Sequence, residues 1–229
     1  MRLTISTLLL AATAAIAPTA AQAEVRITEF MYQGANSGNR EFFELTNISN
    51  AAIDIAGWSY NDDSAKDPVS FGDFFGLLGA NESIILTEMS ASAFRTYWGL
   101  DAGIRIFSIG GDSNMGGSDT LNIYSSDVQN AGTLVDSVSY SGTTRGISRN
   151  RPVGETGAVA NAQFVNSALG DAFGSAFAPN SPADLGNPGS FPVVTAPGAV
   201  PEPATWAMMI GGFALVGGAL RRTRKVAFA

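Results

Sequence analysis

Residues 204–220 run for seventeen positions without a charge and with Thr205 as the one polar side chain. As a helix this stretch is roughly 25 Å long, just under the ~30 Å hydrocarbon core of a bilayer. Arg221, Arg222, Arg224 and Lys225 follow it at once. Cations in that position hold the C-terminus on the cytoplasmic side and leave the bulk of the chain outside. The side chains expected to face lipid or its interface are Trp206, Met208, Met209, Ile210, Phe213, Leu215, Val216 and Leu220. Trp206 falls near the outer boundary, where an amphipathic indole is favoured. Directly before the span, Pro201-Glu202-Pro203 fixes the backbone extended and stops the helix from growing outward. A stiff peptide at the membrane surface suits a processing enzyme; the alternative is a permanent tail anchor.

The other end is also an address. Arg2 opens a short positive region, Leu8-Leu9-Leu10-Ala11-Ala12 forms an apolar run, and Ala21-Gln22-Ala23 supplies a small-residue site. Together they predict a secretory signal peptide over residues 1–23, cut before Glu24. The alternative is an uncleaved N-terminal anchor.

The 229 residues include neither His nor Cys. Their absence removes disulfides, thiolate nucleophiles, His-based triads and His- or Cys-ligated metal sites. Carboxylate chemistry, Lys or Tyr activation and oxygen-ligated cations remain. Five of the 13 basic residues (Arg2, Arg221, Arg222, Arg224, Lys225) but only one of the 20 acidic ones (Glu202) lie in the two ends, which leaves the middle at −11. So acidic a surface repels phosphate backbones, and nucleic acid is not an expected partner.

Between the ends the sequence predicts an all-β, antiparallel sandwich. Short strands are expected at 25–30, 41–46, 52–55, 57–60, 82–87, 104–109, 120–124 and 134–140. Turn-rich gaps such as Asn36-Ser37-Gly38-Asn39 and Gly116-Gly117-Ser118-Asp119 separate them. One helix is expected at 90–98, where Phe94, Tyr97 and Trp98 recur at i, i+3, i+4. Residues 24–150 form the sandwich in this reading. Residues 151–200, rich in Ala, Gly and Pro, form an extension and linker, with Phe164, Phe173, Phe177 and Phe191 able to pack back.

Two resemblances sharpen the reading. Val200-Pro201-Glu202-Pro203, the apolar span and the basic cluster resemble, in that order, the PEP-CTERM sorting signal over 201–225. The resemblance implies recognition by an exosortase, a membrane-embedded enzyme that cuts near Pro-Glu-Pro and passes the protein to the cell exterior. It also implies a setting in exopolysaccharide-producing Gram-negative bacteria. Ile27-Thr28-Glu29-Phe30-Met31-Tyr32, Glu41-Phe42-Phe43-Glu44-Leu45-Thr46-Asn47 and Ile53-Asp54-Ile55-Ala56-Gly57-Trp58 resemble the opening of a lamin-tail domain. That resemblance implies an immunoglobulin-like sandwich with a structural or binding role. The family's closing Pro-Gly-x-x-Asn is not clean here; Asp184-Leu185-Gly186-Asn187-Pro188-Gly189 is the candidate stand-in.

The remaining constellations have bland and sharp readings. Glu29, Glu41 and Glu44 could form a glycosidase pair or cation ligands, or serve as hydrogen-bonding positions of the fold. Asp112, Asn114 and Asp119 partly match a calcium loop, but Ile123 stands where its bidentate Glu belongs. Tyr97-Trp98 offers a stacking platform for carbohydrate if exposed. Arg145, Arg149 and Arg151 form either a basic patch for acidic polysaccharide or partners for the surplus carboxylates. No cofactor, metal or catalytic residue is expected. The leading expectation is an exported, non-enzymatic surface or matrix protein whose partners are the membrane, an exosortase and exopolysaccharide. The alternative is a polysaccharide- or calcium-binding module on a permanent anchor.

Overall fold

The computed structural model describes residues 24–36, 40–62, 69–110, 115–155, 163–193 and 209–215. The expected signal peptide (1–23), the Pro201–Pro203 tripeptide, the basic cluster and Asp112 with Asn114 lie outside them.

Two sheets form the sandwich. The larger has six strands: β1 (Val25–Met31), β2 (Phe42–Asn47), β7 (Ser83–Thr87), β8 (Arg105–Ser108), β11 (Arg149–Asn150) and β12 (Val165–Asn166), in the order β12-β11-β1-β2-β7-β8. The smaller has β4 (Ser59–Asn61), β5 (Val69–Ser70), β9 (Asp119–Tyr124) and β10 (Leu134–Tyr140), in the order β10-β9-β4-β5. Two further pairs are β3 (Ile53–Asp54) with β6 (Leu77–Leu78), and β13 (Ala176–Ala178) with β14 (Ser181–Gly186). Each of the eight expected strands has a counterpart. The pairing is antiparallel except between β7 and β8, which run parallel. The reason is the helix α1 (Ala91–Trp98), which carries the chain across between them, as a parallel connection requires.

Alternation along β2 explains the layers. Phe43 and Leu45 face the smaller sheet and join Ile27, Phe30, Tyr60, Ile84, Leu86, Leu121, Ile123 and Val138 in the main core. Phe42 faces outward, where Met31, Ile85 and Ile106 meet Phe94, Tyr97 and Trp98 of α1 in a second core. The expected aromatic stripe of the helix is therefore its packing face. Ser90 caps the N-terminus, accepting from Ala93 N at 3.3 Å, and Gly99 closes the C-terminus in the left-handed conformation, φ 67°.

A bulge in β1 breaks the alternation. Ile27 pairs with Leu45 and Glu29 with Glu44, so Thr28 is the extra residue. Ile27 and Phe30 both stay in the main core, and Thr28 and Glu29 both turn to the outer face. The backbone of Ile27 at this break is satisfied by a buried ion pair. Its N–H donates to Asp136 Oδ2 at 2.9 Å, and its carbonyl accepts from Arg151 Nε at 2.9 Å. Arg151 Nη2 and Asp136 Oδ2 are 2.6 Å apart, with both side chains sealed from solvent. Burial pushes the Asp136 carboxyl up and pulls the Arg151 guanidinium down, each against the other's charge. Arg149 is half-buried and donates to Phe164 O, while Arg145 stands exposed, so the three arginines do not assemble a surface patch.

Within the stretch expected as extension and linker, residues 163–193 add β12 to the large sheet and lay β13 and β14 over its outer face. Residues 209–215 are helical, with every side chain exposed. Among the described residues no helix is long and apolar enough to cross a membrane; the expected span 204–220 lies largely outside them.

The Arg151–Asp136 pair generates a test. Arg151→Ala leaves Asp136 and the Ile27 carbonyl buried without their partner, and should cost about 3–5 kcal/mol. Urea denaturation of the purified chain measures it, and the double change Arg151→Met with Asp136→Leu should recover part of the loss.

Candidate functional site

The outer face of β1, β2 and β7 is half apolar and half polar. α1 covers the apolar half. The polar half comprises Thr28, Glu29, Glu44, Thr46 and Ser83, all buried, and the chain from β14 to Ser190 covers it. Two carboxyls side by side under a peptide segment are the unusual feature of the molecule.

Glu44 Oε1 accepts from Thr28 Oγ1 at 2.7 Å and from Thr46 Oγ1 at 3.2 Å; Thr46 in turn meets Ser83 Oγ at 2.8 Å. Glu44 Oε2 accepts the backbone N–H of Gly189 at 2.6 Å. Glu29, the cross-strand partner of Glu44, accepts at Oε1 from Ser148 Oγ at 2.5 Å and from the backbone N–H of Asn187 at 2.8 Å. Its Oε2 is buried and has no hydrogen-bond partner among the described residues. Both carboxyls have 0% exposure. The two strand carboxyls thus grip two backbone amides, two residues apart, of the segment that leaves the domain.

Local sequence makes the fit possible. At Gly186 an added Cβ would stand 2.8 Å from Glu29 Oε1, 2.9 Å from Ser148 Oγ and 3.2 Å from Trp98. Only glycine lets the backbone come this close to the acid. Asn187 shapes the turn that follows, donating from Nδ2 to Ser190 O at 2.8 Å and accepting from Ser175 Oγ at 3.1 Å. Upstream, buried Asp184 accepts from Ala35 N and from the Tyr97 hydroxyl, and the Arg40 guanidinium lies 4.7 Å over the Tyr97 ring. Leu185 exchanges backbone bonds with Gly146 and Ser148 at 2.7 and 3.0 Å.

The electrostatics follow from burial. Desolvation holds Glu29 well above the usual carboxylate range; the charges of Glu44 and Asp171 add to this, and the bonds from Ser148 and Asn187 oppose it. Desolvation likewise pushes Glu44 up to about 7, against the bonds from Thr28, Gly189, Thr46 and Ser83. Glu41 belongs elsewhere. Both its oxygens accept from Met115 N, at 3.0 and 2.9 Å, on the side of the main core, and burial pushes it up to about 9. Of the three carboxylates singled out in the sequence, two converge on one face and the third turns to the other. The converging pair is sealed from solvent beneath the segment that covers it.

The other candidates fall out differently. Tyr97 and Trp98 are 8% and 7% exposed, packed beneath Arg40 and edge-on to Phe42, so they present no stacking platform. Asp119 spends its oxygens on Gly116 N and Thr120 N. Among the described residues no group of three or more acidic side chains could hold a metal ion. Trp58 lies in the main core. The sequence reading missed Ser148, Gly186, Asn187 and Gly189 as partners of the carboxyls. The available signal was two acids on one face of predicted strands, which need buried donors, together with a Gly-Asn-Pro-Gly turn that supplies free amides.

The fold is an immunoglobulin-like sandwich with its exit segment fastened over buried acids. The Lamin Tail Domain profile matches residues 18–142, more than half of the chain, and the chain belongs to that family. The PEP-CTERM protein-sorting motif matches residues 199–225, which marks the protein as exported and sorted by an exosortase. Among solved structures, a DUF4876 family protein from Bacteroides thetaiotaomicron is similar at 12% identity, over 78% of this chain and 74% of its own, with a TM-score of 0.39. No curated protein matches.

The raised carboxyls predict an inverted pH profile. A carboxyl whose folded pKa exceeds its unfolded value binds its proton preferentially in the native state. For Glu44 the stabilisation is complete below its ordinary value of 4.5 and is lost as pH rises through about 7. Loss of a shift of that size is worth on the order of 3 kcal/mol. Melting temperature should therefore fall between pH 5 and pH 8, and Glu44→Gln should flatten that slope. Gly186→Ala should lower the melting temperature at every pH, through an overpacking cost of about 1–3 kcal/mol.

Proposed function

We propose that this chain is a non-enzymatic protein of the cell surface or extracellular matrix. Its sandwich is exported behind residues 1–23, held in the membrane by the helix over 204–220, and freed when an exosortase cuts near Pro201-Glu202-Pro203. The observation that carries the proposal is the sorting motif at 199–225, which follows in sequence the domain described to residue 193. A structural role is supported by where the acids are. Glu29 and Glu44 are sealed under the exit segment, where neither substrate nor bulk water reaches them, and their oxygens hold main chain. A general acid–base pair needs hydrogen-bond reach to a substrate. The helix 209–215 supports the span, since it leaves Met209, Ile210, Phe213 and Leu215 between 48% and 77% exposed. Beyond the membrane, exopolysaccharide is the polymer such a protein would meet.

Mass spectrometry of the extracellular form tests this reading. The expected species begins at Glu24 and lacks Arg221–Lys225; an intact arginine-rich C-terminus on all of the secreted protein would overturn it. Deletion of residues 201–229 should move the protein from the envelope fraction to a soluble one.

A further inference from the structure

The segment that forms the domain's exit is poor in charge. All eight basic residues and all but two of the acidic residues between 24 and 200 lie upstream of residue 163. The two exceptions are both engaged. Asp184 is fully buried, and Asp171 caps its own turn, accepting from Ala168 N, Phe173 N, Ser175 N and Ser175 Oγ. Large apolar side chains instead reach solvent there, Leu169 at 64% and Phe177 at 43% exposure. Phe177 borders a groove of about 270 Å³ whose walls include Trp98, Leu100, Phe173 and Pro188. Phe173 stacks on Phe191, ring centroids 6.2 Å apart, at the point where the chain departs.

Chain length decides what this surface meets. From residue 193 to the start of the apolar span at 204 is eleven residues, which in any conformation reach at most ~40 Å. A folded unit of this size has a radius of gyration of roughly 15 Å, hence a width near 40 Å. A tether no longer than the domain is wide, fastened at one face, keeps that face toward the bilayer.

We propose that Phe177 with the groove it borders, and Leu169 on the same segment, rest in the outer headgroup layer of the membrane that the tail enters. Residues 163–193 bring no free charge to that layer, and the apolar side chains of Leu169 and Phe177 gain by burial there. The acidic body points away, repelled by any anionic lipid. The docked domain brings residues 201–203 to the membrane surface, where a membrane-embedded enzyme can take them. This inference rests on the sorting reading above, because an unanchored chain has no nearby bilayer.

The chain has no cysteine, so single cysteines can be placed at will. The full-length protein bearing Leu169→Cys, Phe177→Cys or Val128→Cys is labelled with an environment-sensitive fluorophore. It is then reconstituted in phosphatidylcholine vesicles with and without doxyl-labelled lipid. Val128 is 67% exposed on the hairpin between β9 and β10, across the sandwich. The expected result is a blue shift and at least twofold quenching at 169 and 177, with neither at 128. Flotation of the protein with equal, unquenched emission at all three sites overturns the docked face while leaving the anchor intact. Quenching at all three also overturns it, since no face is then selected. Failure to float removes the anchor and the docked face together.

Discussion

The fold depends on how two backbone groups of Ile27 are satisfied. A bulge leaves ladder groups unpaired, and in the middle of a buried sheet an unpaired group is costly. Asp136 takes the N–H and Arg151 takes the carbonyl, while the two side chains bind one another. This ion pair is held inside the protein against a desolvation cost that shifts both groups toward neutrality. Its return is geometric. Because the bulge is fixed at Thr28, Ile27 and Phe30 both reach the main core, and Thr28 and Glu29 both reach the opposite face. Without the extra residue the alternation of β1 would put Glu29 in the same layer as Ile27.

From that displacement the second layer follows. Glu29 arrives beside Glu44, and two acids that cannot be solvated need donors. Hydroxyls of Thr28, Thr46 and Ser148 supply some; the backbone of residues 187 and 189 supplies the rest. Gly186 permits the approach and Asn187 holds the turn. The polar half of the outer face is thereby closed by peptide and the apolar half by α1.

Much of this was legible from residue pattern. Alternation and turn residues located eight of the strands (β1, β2, β3, β4, β7, β8, β9 and β10), and the spacing of Phe94, Tyr97 and Trp98 located the helix. Other parts were not legible, for physical reasons. β14 reads Ser-Pro-Ala-Asp-Leu-Gly, a turn-like string whose pairing is made by backbone and by buried Asp184 rather than by apolar alternation. β5, β6, β11 and β12 are two residues each, too short for a period to register. Tyr97 and Trp98 could be placed on a helix but not on its buried side, because that side is defined by Phe42 and Ile85 from other strands. The carboxyls were visible as a group; that Glu29 and Glu44 share a face while Glu41 does not depends on the bulge, which no propensity announces.

The way the exit segment is fastened also sets a path for mechanical force. Tension arriving along the tail enters the domain at Gly189 and Asn187 and is handed through their amides to Glu44 and Glu29. Those side chains belong to β2 and β1, the two middle strands of the six-stranded sheet, flanked on both sides by further ladder bonds. A pull along the tail therefore meets the two central strands of the six-stranded sheet, through two side-chain clamps, before it reaches the β13–β14 pair.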